Sequence, residues 1–180
     1  MSSVMQASIQ MELSESASAL LRPEMTAQAA VQALADAGQV QDALKLLARL
    51  LPKRYAVAWV CQCARDQTLD AENRAGASLA EKWVREPNES NRRAAFEFAT
   101  AGGYKSAGAW VAAAAGWSGG SLAPAAQETP VPPADHLTAC AVVAAINMLA
   151  ALDVDTFATR RADFIKPAMS LLNGESASGA

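Results

Sequence analysis

Apolar residues recur at helical spacing along most of the chain. Ala27, Ala30, Val31 and Leu34 follow the i, i+3, i+4, i+7 rule of a half-buried helix, and Gly38 is placed to stop it. Val40, Ala43, Leu44, Leu47 and Leu51 repeat the pattern until Pro52, which removes a backbone donor and clashes with the preceding turn. A third helix is expected over Lys53–Arg65. Asp70 is the expected N-cap of a fourth, with Ala75, Leu79, Ala80 and Trp83 inward and an end before Pro87. Asn88 or Ser90 should cap a fifth, with Ala94, Ala95, Phe98 and Ala101 inward and Gly102-Gly103 as its end. Ser106 opens a sixth, to about Gly116. Asp135 caps a seventh, to Leu152. Asp155 or Thr156 starts an eighth, striped by Phe157, Arg161, Phe164, Ala168 and Leu171; Pro167 should kink it and Asn173-Gly174 should end it.

Between the sixth and seventh helices lies WSGGSLAPAAQETPVPPAD, Trp117 to Asp135, whose four prolines and two glycines preclude regular helix. Residues 1–22 show only weak periodicity and read as a flexible leader with one short helix; residues 175–180 read as a small-residue tail. The pattern therefore predicts an all-α fold: about eight antiparallel helices in a single domain over 23–174, as a compact bundle or a solenoid-like array. No fixed-period self-similarity supports a repeat protein.

Composition sharpens this reading. Of 180 residues 43 are alanine, the best helix former, and only 6 % are aromatic. That disfavours a β fold, overall disorder and a disulfide scaffold. With a net charge of −3 the chain lacks the basic footprint of a nucleic-acid binder. The longest uncharged apolar run, Leu137 to Leu152, is shorter than the roughly 20 residues of a membrane span and includes Asn147. The N-terminus has neither the basic nor the apolar region of a secretory signal. Three cysteines, of which Cys61 and Cys63 diverge on one helix, suit a reduced, cytoplasmic setting.

Charge is unevenly distributed. From Ser106 to Leu152 only Glu128 and Asp135 are charged, so helices six and seven carry no charge. A helix apolar all round is a central buried helix, or one face meets a partner or a second copy. Conversely, Lys45, Arg49, Lys53, Arg54 and Arg65 form a stretch without an acid. This is either a solvated face paired with acids elsewhere or a docking face for an acidic partner.

Catalytic patterns find little support. Gly116-Trp117-Ser118-Gly119-Gly120 matches G-x-S-x-G, but a nucleophile elbow joins a strand to a helix, whereas here a helix leads into a loop. The single histidine, His136, would have to be the base, with Asp135 poorly placed beside it. Cys61, Cys63, His136 and Cys140 could form a zinc set by type, but Cys61 and Cys63 do not share a face, and small buried thiols are the plainer reading. No metal or cofactor is expected. Trp59, Trp83, Trp110 and Trp117 lie on inward stripes or at helix ends, as core residues or as anchors for a partner. Arg92-Arg93 sits at a helix N-terminus, against the dipole, and needs a compensating acid such as Glu89 or a partner.

Four segments carry a resemblance: Leu51–Arg65, Ala80–Ala99, Ala109–Pro124 and Val131–Ile146, with W-V-x-x-P at Trp83–Pro87 and W-S-G-G-S-L-x-P at Trp117–Pro124 as the most specific elements. Together they resemble a small, mostly uncharacterised bacterial family encoded near type VI secretion genes, over about residues 22–152. The matching motif positions are Trp83, Pro87, Arg92, Trp110, Trp117, Ser118, Gly119, Gly120 and Pro124. Ala58 stands before Trp59 where the family has a bulkier residue. The resemblance implies an accessory role beside an effector chaperone, as a co-chaperone or adaptor in effector loading. The function expected is thus a non-catalytic protein-binding factor, with an effector chaperone or effector as partner. The contacts would come from Arg49, Arg54, Trp59, Arg92, Arg93, Trp117, Ser118, Gly119 and Gly120. A self-associating scaffold, homo-oligomeric through helices six and seven, is the alternative, and a hydrolase using Ser118 is a third reading.

Overall fold

A computed structural model describes the backbone of residues 1–178 and the side chains of residues 1–172. Among the described residues there are ten α-helices, one 3-10 turn and no strand, so the chain is all-α. It divides into two compact units, one formed by Met1–Pro52 with the chain from Ala150 onward, the other by Lys53–Leu149. This differs from the single domain over 23–174 expected from the sequence.

The first unit contains α1 (Ser3–Gln10), α2 (Glu15–Ser18), α3 (Ala27–Asp36), α4 (Val40–Leu50) and α10 (Phe157–Ser178). Residues 1–22 are thus not a bare leader. Ser2 and Ser14 cap α1 and α2 by accepting from Met5 and Ala17 backbone amides, and Val4, Ala7, Met11, Ala17 and Leu21 are buried. The weak periodicity there reflects the shortness of α1 and α2, with Met11 and Leu21 buried from the connections rather than from a helix face. The α4 helix is the centre of this unit and packs on α1, α3 and α10; Leu44, Leu46 and Leu47 on it, and Leu34 on α3, are fully buried. Its one buried charge, Asp42, accepts from the Ser14 amide at 3.0 Å and the Ser14 hydroxyl at 2.9 Å. That meets the requirement that a buried charge be hydrogen-bonded. Asp153 caps the 3-10 turn Val154–Thr156, accepting from Asp155 N at 3.0 Å, and α10 follows from Phe157. Pro167 lies inside α10, which continues past the expected Asn173-Gly174 stop. Of the 175–180 tail, Gly179 and Ala180 lie outside the described residues.

The second unit contains α5 (Lys53–Arg65), α6 (Ala71–Arg85), α7 (Glu89–Ala101), α8 (Ala107–Gly116) and α9 (Leu137–Ala150, its last residue in the first unit). Asp70, Asn88 and Ser106 cap α6, α7 and α8 through their side chains. The α8 helix lies against α6 and α7, and all its residues but Trp110 are buried. Small residues let the backbones approach. A Cβ at Gly76 of α6 would collide with the Gly108 carbonyl of α8, and Asn73 Oδ1 accepts from Gly108 N at 2.7 Å. The α9 helix is tied to α8 by the buried Thr138 hydroxyl, which donates to the Ala114 carbonyl at 2.9 Å. Two inward stripes differ from expectation. On α6 Ala75 is exposed while Gly76 and Ala77 are buried; on α7 Ala94 and Ala101 are exposed while Asn91, Arg92, Ala95 and Ala99 are buried. Among the described residues, no single helix is long and apolar enough to cross a membrane.

Candidate functional site

The start of α7 places an arginine where the helix dipole disfavours it, and the structure shows what holds it there. Asn88 caps the helix, accepting from Asn91 N at 2.8 Å, and the Asn91 amide donates to the Glu86 carbonyl at 2.9 Å. Arg92, one position on, is only 3 % exposed. Its guanidinium makes a fork to Glu89, Nε to Oε2 at 2.7 Å and Nη2 to Oε1 at 2.5 Å. It also donates from Nη1 to the Gly116 carbonyl at 2.6 Å and from Nη2 to the Ser121 carbonyl at 3.4 Å. A buried cation is tolerated when it is paired and its donors are used. Glu89 is the compensating acid, and the Arg92 hydrogen bonds hold its carboxyl below the usual carboxylate range against the opposing effect of partial desolvation.

Arg92 therefore joins the first turn of α7 to the last turn of α8 and to the loop that follows. The glycines fit this junction. Gly120 has φ +63°, and a Cβ there would stand 2.6 Å from Arg92 Nε. A Cβ at Gly116 would stand 2.6 Å from Phe96 Cα, whereas at Gly119 it would meet nothing within 4 Å. Only two of the three glycines are thus required by contact.

Neighbouring side chains brace the rest of the loop. Arg93 donates from Nη1 to the Ala123 carbonyl at 2.9 Å and stacks 5.3 Å from the Phe96 ring centre. Lys53 donates to the Ser118 carbonyl at 3.1 Å and meets Asp135 Oδ1 at 3.4 Å, which ties the two ends of the loop. Asp135, expected to cap α9, makes this contact instead. The Ser121 hydroxyl accepts from Ala123 N at 3.0 Å and Val131 N at 2.8 Å, and Leu122 N donates to the Val131 carbonyl at 2.8 Å. The mouth of the loop is closed, and residues 124–132 outside it are all exposed.

At the foot of the loop stands an aromatic cluster. Trp117 lies 5.8 Å from Trp110 at 89° and 5.7 Å from Tyr104 at 43°, and Tyr104 lies 5.3 Å from Trp110. Tyr104 holds φ +57° after Gly102-Gly103, a conformation that costs a non-glycine residue free energy. All three rings are half-buried.

The expected contact residues are thus only partly brought together. Arg92, Arg93, Trp117, Ser118, Gly119 and Gly120 belong to this one construction. Trp59 does not: it is 2 % exposed, on the inward face of α5 with Ala56, Val57 and Val60. Its burial, like that of Arg92, corrects the expectation that it offers a free surface. Arg54 donates from Nε to the Val84 carbonyl at 2.7 Å and from Nη2 to the Arg85 carbonyl at 3.4 Å, where it satisfies the open C-terminus of α6. Arg49 donates to Gln10 Oε1 at 2.7 Å in the first unit. Lys45 donates to the Glu12 carbonyl and Arg65 pairs with Glu81 at 3.0 Å, so every member of the basic stretch has an internal partner. Sequence reasoning missed Ser121 and Tyr104. The first could be suspected from its place in WSGGSL, the second from an aromatic directly after two glycines.

The chemistry of the reactive side chains is muted. Burial pushes the Cys61 and Cys63 thiols up to about 12, which keeps them protonated. Ser118 follows the end of a helix rather than a strand. Among the described residues no group of three or more His, Cys, Asp or Glu side chains is arranged to hold a metal ion. Residues 30–172 match the signature of a family of unknown function, DUF6931. No curated protein and no solved structure matches the chain.

Proposed function

We infer that this chain, which belongs to the DUF6931 family, is a non-catalytic protein-binding accessory factor that presents the loop of residues 117–135 to a protein partner. The observation that carries this reading is the use made of Arg92. A buried guanidinium is expended on the last carbonyl of α8, from which the loop departs, on one carbonyl of the loop and against one of its glycines. An anchored loop loses less conformational freedom on binding, so more of its contact energy appears as affinity. Long connections without secondary structure are uncommon in compact folds and are commonly functional. For a non-catalytic role speak the protonated buried thiols and the helix-to-loop setting of Ser118.

The partner class comes from the sequence resemblance: an effector chaperone or an effector of type VI secretion, met in the cytoplasm. The test is co-expression with an effector chaperone and an effector of a type VI secretion system from the genome that encodes this chain, followed by affinity capture. The unaltered chain should retain the chaperone or the effector. A variant with residues 124–130 replaced by a short Gly-Ser turn should fold alike and lose it. Equal capture by both chains, or capture of neither product, overturns the reading.

A further inference from the structure

The first helix is attached to the first unit as a separable piece. Its eight residues are too few to hold a helix alone in water, so α1 persists by packing. It lies on α3 and α4 and buries Val4, Ala7 and Ser8. Its polar contacts run antiparallel along one stripe of α4. Asp42 accepts from the Ser14 amide and hydroxyl, the Glu12 carbonyl accepts from Lys45 Nζ at 3.4 Å, and Gln10 Oε1 accepts from Arg49 Nε at 2.7 Å. Positions 42, 45, 46 and 49 follow the i, i+3, i+4, i+7 rule, so these contacts flank Leu46, which is fully buried. A pocket of about 160 Å³ lies along the seam, lined by Ser3, Gln6, Ala7 and Gln10 on one side and by Arg49 and Leu50 on the other. Atoms beside such a gap lose part of their dispersion attraction, which weakens the hold on α1.

The connection from α1 to the Ser14–Asp42 anchor is short, residues 11–13. Within it Glu12 holds φ +51°, a left-handed conformation that costs an L-residue free energy. Glu12 N donates to the Ile9 carbonyl and Leu13 N to the Ser8 carbonyl, both at 3.1 Å, which closes the helix with a glutamate where glycine is the usual residue. Short hinges under strain favour exchange of the element they carry: extending the hinge releases the strain, and the element makes the same contacts on another molecule. The surface that receives α1 needs no new complementarity, because a helix of this sequence already occupies it. The closed chain also leaves Met1 and Ile9 in solvent, at 88 % and 63 % exposure.

We propose that two copies of the chain exchange α1 reciprocally. Residues 11–13 extend, and α1 of each copy seats on α3 and α4 of the other, with Gln10 of one copy on Arg49 of its partner. The helix contacts are alike in the single chain and in the pair. The pair gains the strain released at two hinges and is opposed by the entropy of association, so it is weak and concentration-dependent. It also forms slowly, since α1 must leave its own face before it crosses. This inference uses no residue of the 117–135 loop and does not need the adaptor reading.

The test is sedimentation and native mass spectrometry of the full chain, equilibrated from micromolar to millimolar concentration. The unaltered protein should form a reversible dimer. Glu12→Gly makes the left-handed turn free of strain and should raise the dimer dissociation constant roughly 10-fold or more. Gln10→Lys and Arg49→Glu are then mixed as separate chains. Crossing sets the new lysine of one chain against the new glutamate of the other, and leaves Gln10 and Arg49 matched at the second seat. The mixed dimer should exceed its statistical share by roughly 3- to 10-fold. A chain that stays monomeric throughout, a dimer indifferent to Glu12→Gly, or a mixture that pairs at random overturns the proposal.

Discussion

Gly120 lies so close over Arg92 that a Cβ built on it would stand 2.6 Å from the guanidinium Nε. The loop backbone and the buried cation share one volume, and only glycine at this position leaves room for both. Gly120→Ala meets two costs: a left-handed backbone at φ +63°, about 1–2 kcal/mol for an L-residue, and a displaced guanidinium. Gly119→Ala meets neither, and should change stability by no more than about 0.5 kcal/mol. Urea denaturation of the two variants side by side checks the contrast; equal losses would place the constraint elsewhere.

Arg92→Met removes the cation but keeps much of the stem. The buried Gly116 carbonyl then loses its donor, which costs roughly 1–3 kcal/mol. Glu89, largely exposed, is rescued by water. The expected result is a lower denaturation midpoint together with faster proteolysis within residues 117–135, read by mass spectrometry of the first cleavage products.

Glu89 gives the same junction a dependence on pH. Its carboxyl is held below its ordinary value of 4.5 in the folded chain. The folded state therefore binds fewer protons than the unfolded one in this range. The stabilisation is fully present above 4.5 and is lost as pH falls through the depressed value. Comparing denaturation midpoints between pH 7 and acid for the unaltered chain and Glu89→Gln should show a shallower acid decline in the variant.

The thiols predict the opposite limb. Cys61 and Cys63 stay protonated up to about 12 when folded, whereas the unfolded chain ionises near 9.0. The unfolded state then holds fewer protons, so stability contributed by these groups declines as pH rises past 9.0. At pH 8 both should resist a thiol reagent in the native protein and react when urea is added. Peptide mapping distinguishes them from the half-buried Cys140; native labelling of Cys61 or Cys63 would contradict the packing of α5.

The α6–α8 crossing offers a test of packing without polar chemistry. Alanine is ordinarily better than glycine inside a helix by roughly 1 kcal/mol. At Gly76 the added methyl would collide with the Gly108 carbonyl. Gly76→Ala should therefore destabilise, by about 1–3 kcal/mol as overpacked sites do. A gain in melting temperature would show that α6 and α8 can separate at little cost.

The helices were legible where their signals are local. Leu34, Leu44 and Leu47 are buried as their spacing predicts, and Asp70, Asn88 and Ser106 cap as their positions do. The uncharged sequence of α8 also predicts its burial, which every residue but Trp110 shows. The α7 stripe was misread because periodicity treats apolar residues as inward. Arg92 is inward for a different reason: its partners are Glu89 and carbonyls more than twenty residues away in the chain. The loop motif and the arginine were each visible in the sequence, but not their junction, since no spacing rule links position 92 to 116, 120 and 121. The role of Trp59 turned on which side of α5 faces inward, and a helix with apolar residues on several sides does not say.

The division of the chain has a consequence for its synthesis. The first unit is discontinuous: α3 and α4 pack against α10, which lies near the far end of the chain. Residues 53–149 are contiguous and hold their own helix contacts. As the polypeptide leaves the ribosome, the inserted segment has all its partners outside before α10 emerges. The N-terminal helices must wait with one apolar side of α4 uncovered, so the usual order of completion, N-terminal part first, is reversed here. A nascent chain stalled with residues 53–149 clear of the ribosome and α10 still inside its exit tunnel should already protect the braced loop from protease while Leu44 and Leu47 still lack their last neighbour.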